Sequence, residues 1–305
     1  MTHTAEAAGV PAAHGQTTIQ WAPIPLPTVA VRRVLEAAYA EDAPSGDLTS
    51  LLLIPAEAAA TAELRARVPG VFSGGPIIEA GFRFHDPDAA VELLAAEGEE
   101  FAAGAVLARV TGRAQSILTA ERVVLNLVQR MSAIAALTAQ YVALTAGTGA
   151  RIVDTRKTTP GLRELERYAV RCGGGRNHRF SLSDAVMAKD NHLAVLTGGD
   201  PARLTEALRG VRARLGHTTH VEVEVDRLEQ IEPVLAAGWT RSCSTTSPST
   251  TCAPASSSSV AGPSSRRAEA SPSRRSPPSP PRGSTSSRSG PSPTRWSTST
   301  SGSTW

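Results

Sequence analysis

The stretch "DPARLTEALRGVRARLGHTTHVEVEVDRLEQIEPVLAAG", residues 200–238, decides the fold. Its first part, Asp200–Gly216, repeats apolar residues at three- and four-residue spacing and reads as a helix. "HVEVEVD" (His220–Asp226) alternates Val with charge and reads as a strand. "RLEQIEPVLAAG" (Arg227–Gly238) returns to helical spacing. Upstream the alternation repeats: "RIVDT" (Arg151–Thr155) reads as a short strand, "PGLRELERYAV" (Pro160–Val170) as a helix with Pro160 near its start, and "DAVMAKD" (Asp184–Asp190) as a strand. Strand–helix repeats predict an α/β fold with a parallel sheet, open or closed into a barrel. Three strands are too few to cover either kind of core, so the expected barrel is truncated.

Before Arg151 the pattern is different. "PTVAVRRVLEAAYAED" (Pro27–Asp42) predicts a helix and "APSGDLTS" (Ala43–Ser50) a polar turn. Short alternating runs from Thr61 to Ala114, punctuated by Gly and Pro, predict antiparallel strands with one helix near Pro76–Gly81. A long helix follows from Ser116. Asn126, Gln129, Arg130 and Gln140 interrupt its apolar run, so it reads as a core helix and not a membrane span. The expected organisation is a disordered segment 1–25, an N-terminal α/β sandwich-like domain 26–128, a partial parallel α/β barrel 129–238, and a disordered Ser/Pro/Arg-rich tail 239–305.

Charge divides along the same lines. The whole chain of 305 residues carries +3, but residues 241–305 hold eight Arg and one Glu, a net +7, which leaves −4 for the remainder. The body is mildly acidic, which removes the main support for nucleic-acid binding. Three cysteines, Cys172, Cys243 and Cys252, show no metal-ligand spacing. They suit a reducing cytoplasm, and the N-terminus lacks the basic and apolar regions of a secretory signal.

The body also contains a concentrated cationic set. There are only two lysines, Lys157 and Lys189, against 29 arginines, and both follow predicted strands, at the sheet edge where α/β proteins bind ligands. "DTRKTTPG" presents Thr155, Arg156 and Lys157 beside a helix start. That is either an ordinary capped loop or a cation pair offered to an anion. "CGGGRNHRFSLSDAVMAKDNH" adds Arg176, His178, Arg179, Lys189 and His192 around a flexible triple glycine. With Arg122 these form a positive set inside an acidic body, the pattern of a site for a polyanionic small molecule. Glu222 and Glu224 share one face of their strand. They are either a solvated acidic face or buried carboxylates that need Lys, Arg or a metal as partners.

"ERVVLNLVQRMSAIAALT", "DTRKTTPGLRELERYAV", "GGGRNHRFSLSDAVMAKDNH", "VEVEVDRLEQ" and "EDAPSGDLTS" together resemble quinolinate phosphoribosyltransferases, from about Leu26 to Gly238. The resemblance implies transfer of phosphoribosyl from phosphoribosyl pyrophosphate to quinolinate with decarboxylation, a step of NAD biosynthesis. It implies that Arg122, Arg156 and Arg179 hold the quinolinate carboxylates, with Thr155, His178 and Lys157 beside them. Lys189 is expected to face ribose or diphosphate. Glu224, with Glu222, is expected to face the ribose hydroxyls and Mg²⁺, which arrives mainly on the diphosphate. Lys157, Lys189 and Glu224 are the expected catalytic residues. The family further implies a homodimer or higher homo-oligomer in which Arg122 reaches the neighbouring site, with no membrane.

The tail departs from the family, whose barrel continues with an Asp-bearing strand, a Ser-Gly-Gly loop and a Gly-Ala loop that hold phosphate. Residues 241–305 contain 23 Ser, one Val and no Leu, Ile, Met or Phe, which precludes strands with an apolar face. Read in a shifted frame with permitted codons, Ser242–Ser247, Ser264–Ser273 and Ser287–Trp296 yield the three missing elements, in order and in one frame. A frame boundary near Gly238–Trp239 is therefore expected, and with it little activity for the chain as written. Two rivals remain open: a related transferase for another ligand, such as one linked to molybdate uptake, and a non-catalytic module whose basic tail binds nucleic acid.

Overall fold

The computed structural model describes residues 24–238, 242–244 and 296–300. Expectations for residues 1–23 and for the rest of the tail lie outside these. Helix α1 (Thr28–Asp42) turns Val31, Val34, Leu35 and Tyr39 inward. The polar turn expected over Ala43–Ser50 stops short, because Asp47 accepts a hydrogen bond from Ser50 N at 3.1 Å and so caps α2 (Leu48–Leu53).

The N-terminal strands are β1 (Ala59–Ala66), β2 (Gly70–Val71), β3 (Ala90–Leu93), β4 (Glu100–Phe101) and β5 (Val106–Arg113). β1 and β5 pair antiparallel, with Ala62 opposite Val110 and Leu64 opposite Ala108, and β3 lines the other edge of β5. Ala62, Leu64 and Ala66 face inward at every second position of β1. Helices α3 (Gly75–His85) and α4 (Ala114–Leu144) meet that inner face. Phe72, Ile77, Ile78, Phe82, Leu107, Val110, Val124 and Met131 are buried there. Each such side chain contributes about 1.5–3 kcal/mol on leaving water. Helix α4 has 31 residues and passes unbroken through the expected boundary at 128/129.

Helix α5 (Arg163–Cys172) carries Leu165, Tyr168, Ala169 and Cys172 as one stripe and buries it in this same core. It starts after Pro160 because Gly161 takes a left-handed conformation (φ +83°). Glu97 links α3 to α5. Its carboxylate accepts from Gly74 N at 3.0 Å and Gly75 N at 2.6 Å, and from Cys172 Sγ at 3.2 Å. Burial, then the charge of Glu97, pushes the Cys172 thiol up to about 12. Because the native value is raised, stability is unaffected below the ordinary thiol range and falls as pH rises from that range to about 12. Iodoacetamide at pH 8.5 is expected to label Cys172 at least about 100-fold more slowly in the native chain than in urea. Equal rates, read by peptide mass spectrometry, would contradict this burial.

The second layer alternates as expected: β6 (Val186–Ala188), α6 (Asp190–Thr197), α7 (Leu204–Arg212), β7 (Val221–Val225) and α8 (Ile231–Ala236). β6 and β7 are parallel, and Leu193, Leu204, Leu208, Val223, Val225 and Val234 form a separate small core. "RIVDT" contributes a single parallel bridge, Val153 to Arg176, instead of a full strand. Two tail segments pair through their backbones despite a composition with no apolar face. β8 (Ser242–Ser244) runs parallel to β7, and β9 (Trp296–Thr300) runs antiparallel to β1. Among the described residues no helix is long and apolar enough to cross a membrane.

Candidate active site

Parallel pairing of β6 with β7 sets Met187 level with Glu222 and Ala188 level with Val223. Lys189, the next residue, thus reaches Glu224: its Nζ lies 3.1 Å from Glu224 Oε2. Glu222 is buried, and its Oε2 lies 3.0 Å from His178 Nε2. Of the two readings left open for the acidic face, the second fits Glu222, which is buried against His178, while Glu224 is half-buried against Lys189. Lys189 follows the carboxyl end of β6 and Glu224 lies near that of β7, the edge where ligands bind in this architecture.

Two loops come together beside them. The Val153–Arg176 bridge aligns "DTRKT" with "RNHR", and Asp154 fastens the pair. Its Oδ1 accepts from His178 N at 2.6 Å, and its Oδ2 accepts from Asn177 Nδ2 at 2.6 Å and lies 3.1 Å from Arg167 Nη1. Burial pushes the Asp154 carboxyl up and pulls the Arg167 guanidinium down, each opposed by the other's charge. Thr155 Oγ1 accepts from Lys157 N at 3.1 Å, leaving both side chains at the surface. Arg179 Nη1 donates to Ala185 O at 2.8 Å, and His192 Nδ1 accepts from Lys189 N at 3.0 Å. Arg156 is half-buried, and its buried Nε–H has no acceptor among the described residues. Arg122 is exposed on α4, and among the described residues no hydrogen bond or ion pair joins it to this group. Among the described residues no three His, Cys, Asp or Glu side chains gather as a metal site.

The triple glycine, expected to be flexible, is a tightly packed turn. A Cβ on Gly173 would sit 2.3 Å from Ala135 O of α4, and one on Gly175 would sit 2.7 Å from Val170 Cγ1. The sequence reading also missed Arg167 and Asn177 as organisers, and Arg130, which pairs with Glu166 at 2.6 Å and donates to Thr159 Oγ1. A usable signal was present: Glu166 and Arg167 are charges flanking the apolar stripe of α5. A recess of about 580 Å³ beside Asp86, Asp88 and Arg113 is lined by none of these residues.

Fold and site define an α/β enzyme class in which cations and paired carboxylates collect beside two parallel strands. The family description "Quinolinate phosphoribosyl transferase, N-terminal domain" matches residues 47–132, and the C-terminal domain of the same family matches 134–242. The chain belongs to the quinolinate phosphoribosyltransferase family. It is 42% identical over 208 residues to the probable nicotinate-nucleotide pyrophosphorylase [carboxylating] of Bacillus subtilis, covering 68% of this chain and 70% of that one. It is 40% identical over 213 residues to the Mycobacterium leprae nicotinate-nucleotide pyrophosphorylase [carboxylating], covering 68% and 72%. The crystal structure of NadC from Streptococcus pyogenes superposes with a TM-score of 0.68 at 36% identity, covering 74% of this chain and 78% of that one. The chain thus spans 70% and 72% of the length of these two curated relatives, and 56% of that of the Synechocystis relative.

Proposed function

We propose that this chain encodes phosphoribosyl transfer from phosphoribosyl pyrophosphate to quinolinate with decarboxylation, yielding nicotinate mononucleotide, diphosphate and CO₂. The observation that carries the reading is the buried Nε–H of Arg156, which has no acceptor among the described residues, in the loop that Asp154 ties to Asn177 and His178. A buried donor without an acceptor costs about 1–3 kcal/mol, which a substrate carboxylate would recover. Arg156, Lys157, His178 and Arg179 then receive the two carboxylates, with Thr155 at the loop's turn and Arg122 contributed from a second subunit. Lys189 and Glu224 address the ribose and diphosphate.

The pyridine nitrogen displaces diphosphate at the anomeric carbon through an oxocarbenium-like state, which Glu224 and Glu222 favour by their charge. The product ring is a pyridinium. The electron pair left when the 2-carboxylate departs as CO₂ is stabilised by the adjacent cationic nitrogen and then takes a proton from water at C2. Fixed charges supply the catalysis, and no side-chain nucleophile is needed. Glu222 and Glu224 are already engaged by His178 and Lys189, so Mg²⁺ fits best on the diphosphate oxygens, where it supplies countercharge to the leaving group.

A homodimer belongs to the same reading: Leu48, Leu51, Leu52 and Leu53 of α2 are exposed, an apolar surface suited to a second subunit. The free thiol of Cys172 suits a reducing cytoplasm.

The family match ends at residue 242, which supports a frame boundary near Gly238–Trp239 and little activity for the chain as written. The decisive measurement is ¹⁴CO₂ release from quinolinate labelled at the 2-carboxylate, with phosphoribosyl pyrophosphate and Mg²⁺. A chain with codons 239–305 re-read in the shifted frame is expected to turn over at least about 100-fold faster than the chain as written, a barrier difference of about 2.7 kcal/mol. Equal turnover by both would refute the frame boundary. No CO₂ from either would refute the function.

A further inference from the structure

Arg167 is a cation of a different kind from its neighbours. Its side chain is only 10% exposed, whereas Arg156 and Arg179 are half-buried and Lys157 is exposed. Its donors reach consecutive residues of one segment. Nη2 donates to His178 O at 2.9 Å and Nη1 to Arg179 O at 3.2 Å, while the guanidinium carbon lies 5.3 Å from the centre of the Phe180 ring. The same Nη1 donates to Asp154 Oδ1 at 3.3 Å, and Asp154 in turn holds His178 N and Asn177 Nδ2. Asn177 Nδ2 also donates to Arg167 O at 2.9 Å. Two side chains thus grip residues 177–180 from both sides: the carboxylate takes their donors and the guanidinium takes their carbonyls.

We propose that Arg167, acting through Asp154, is the positioning residue of the dicarboxylate site, fixing the backbone from which His178 and Arg179 present their side chains. The planar fork is what the task requires. It offers five N–H donors in fixed directions, so one side chain serves two carbonyls and a carboxylate together. A lysine keeps the charge opposite Asp154 but cannot span the carbonyls of His178 and Arg179 at once. The arrangement also assigns Asp154 a role that excludes it from proton transfer or metal binding, since both its oxygens are occupied by protein donors. The inference rests on the reading of this site as one for quinolinate.

The test compares the native chain with Arg167→Lys. Quinolinate affinity is read by titration calorimetry, and backbone order by hydrogen exchange and mass spectrometry. Exchange is expected to rise at least about tenfold in the segment 177–180 of the variant, while β7 and α7 keep their native protection. Quinolinate affinity is expected to fall about 30-fold. A uniform rise in exchange across α7 and β7 would show a merely structural residue and overturn the proposal, as would unchanged exchange over 177–180. Raised exchange over 177–180 in the variant, with no quinolinate bound by the native chain, would support the clamp and sink the quinolinate reading instead. Intact affinity with loosened 177–180 would overturn the link between clamp and site.

Discussion

Asp154→Ala lowers the unfolding free energy by about 3–5 kcal/mol, the largest loss expected from any single substitution near the site. The reason is the group left behind more than the group removed. Asp154 is 5% exposed and Arg167 10%, so deleting the carboxylate strands a guanidinium in a poorly hydrated position. His178 N and the Asn177 amide lose their acceptor at the same time. Urea unfolding followed by far-ultraviolet circular dichroism reads the change as a midpoint shift of more than about 1 M, given slopes of about 1–3 kcal/mol per molar. A shift below about 0.3 M would mean that water reaches Arg167 freely. Leu165, Tyr168 and Ala169 anchor α5 independently in the large core, so helix content should persist while the 177–180 segment loosens.

Gly173→Ala is expected to cost about 3 kcal/mol, at the upper end of the usual range for forced overpacking. The new Cβ would lie 2.3 Å from Ala135 O and 2.7 Å from Thr138 Cβ, both on α4. A helical carbonyl cannot swing aside as a side-chain tip can, so either α5 or the turn must move away from α4. Gly174→Ala is the comparison. It has a left-handed backbone, φ +83°, but its Cβ would meet Val142 Cγ1 at an ordinary 3.5 Å. Its cost is the backbone strain alone, about 1–2 kcal/mol. Equal effects at the two positions, measured by thermal unfolding, would show that conformational freedom and not close packing is what the glycines supply. The functional consequence follows from adjacency, since Arg176 bridges to Val153 immediately after this turn.

Much of the site was legible because it is contiguous. Lys157, His178, Arg179 and Lys189 lie in two unbroken motifs, and the two-residue period of β7 places Glu222 and Glu224 on one face without any tertiary information. The pairing of each carboxylate was not legible. It depends on the register between β6 and β7, and a slip of one residue would move Lys189 away from Glu224. Arg122 looked equivalent to the other arginines in composition, yet it stands on α4 apart from them, because helix position decides where a side chain emerges. Arg167 was passed over for the opposite reason. Polar residues on an amphipathic helix ordinarily face water, and only the return of the chain over α5 encloses this one.

What the sequence determined by itself is the set of local periods and the inventory of charge: helices from a 3.6-residue spacing, strands from alternation, a cation-rich segment inside an acidic body, and a break in composition after Gly238. Those properties depend on near neighbours in the chain. The tertiary structure alone decided that α5 belongs to the N-terminal core, that the glycines are a packed joint, and that Asp154 and Arg167 are buried together against residues 177–179. Each of these joins groups distant in sequence or separated by a turn, and their energies arise only once burial has removed water from both partners.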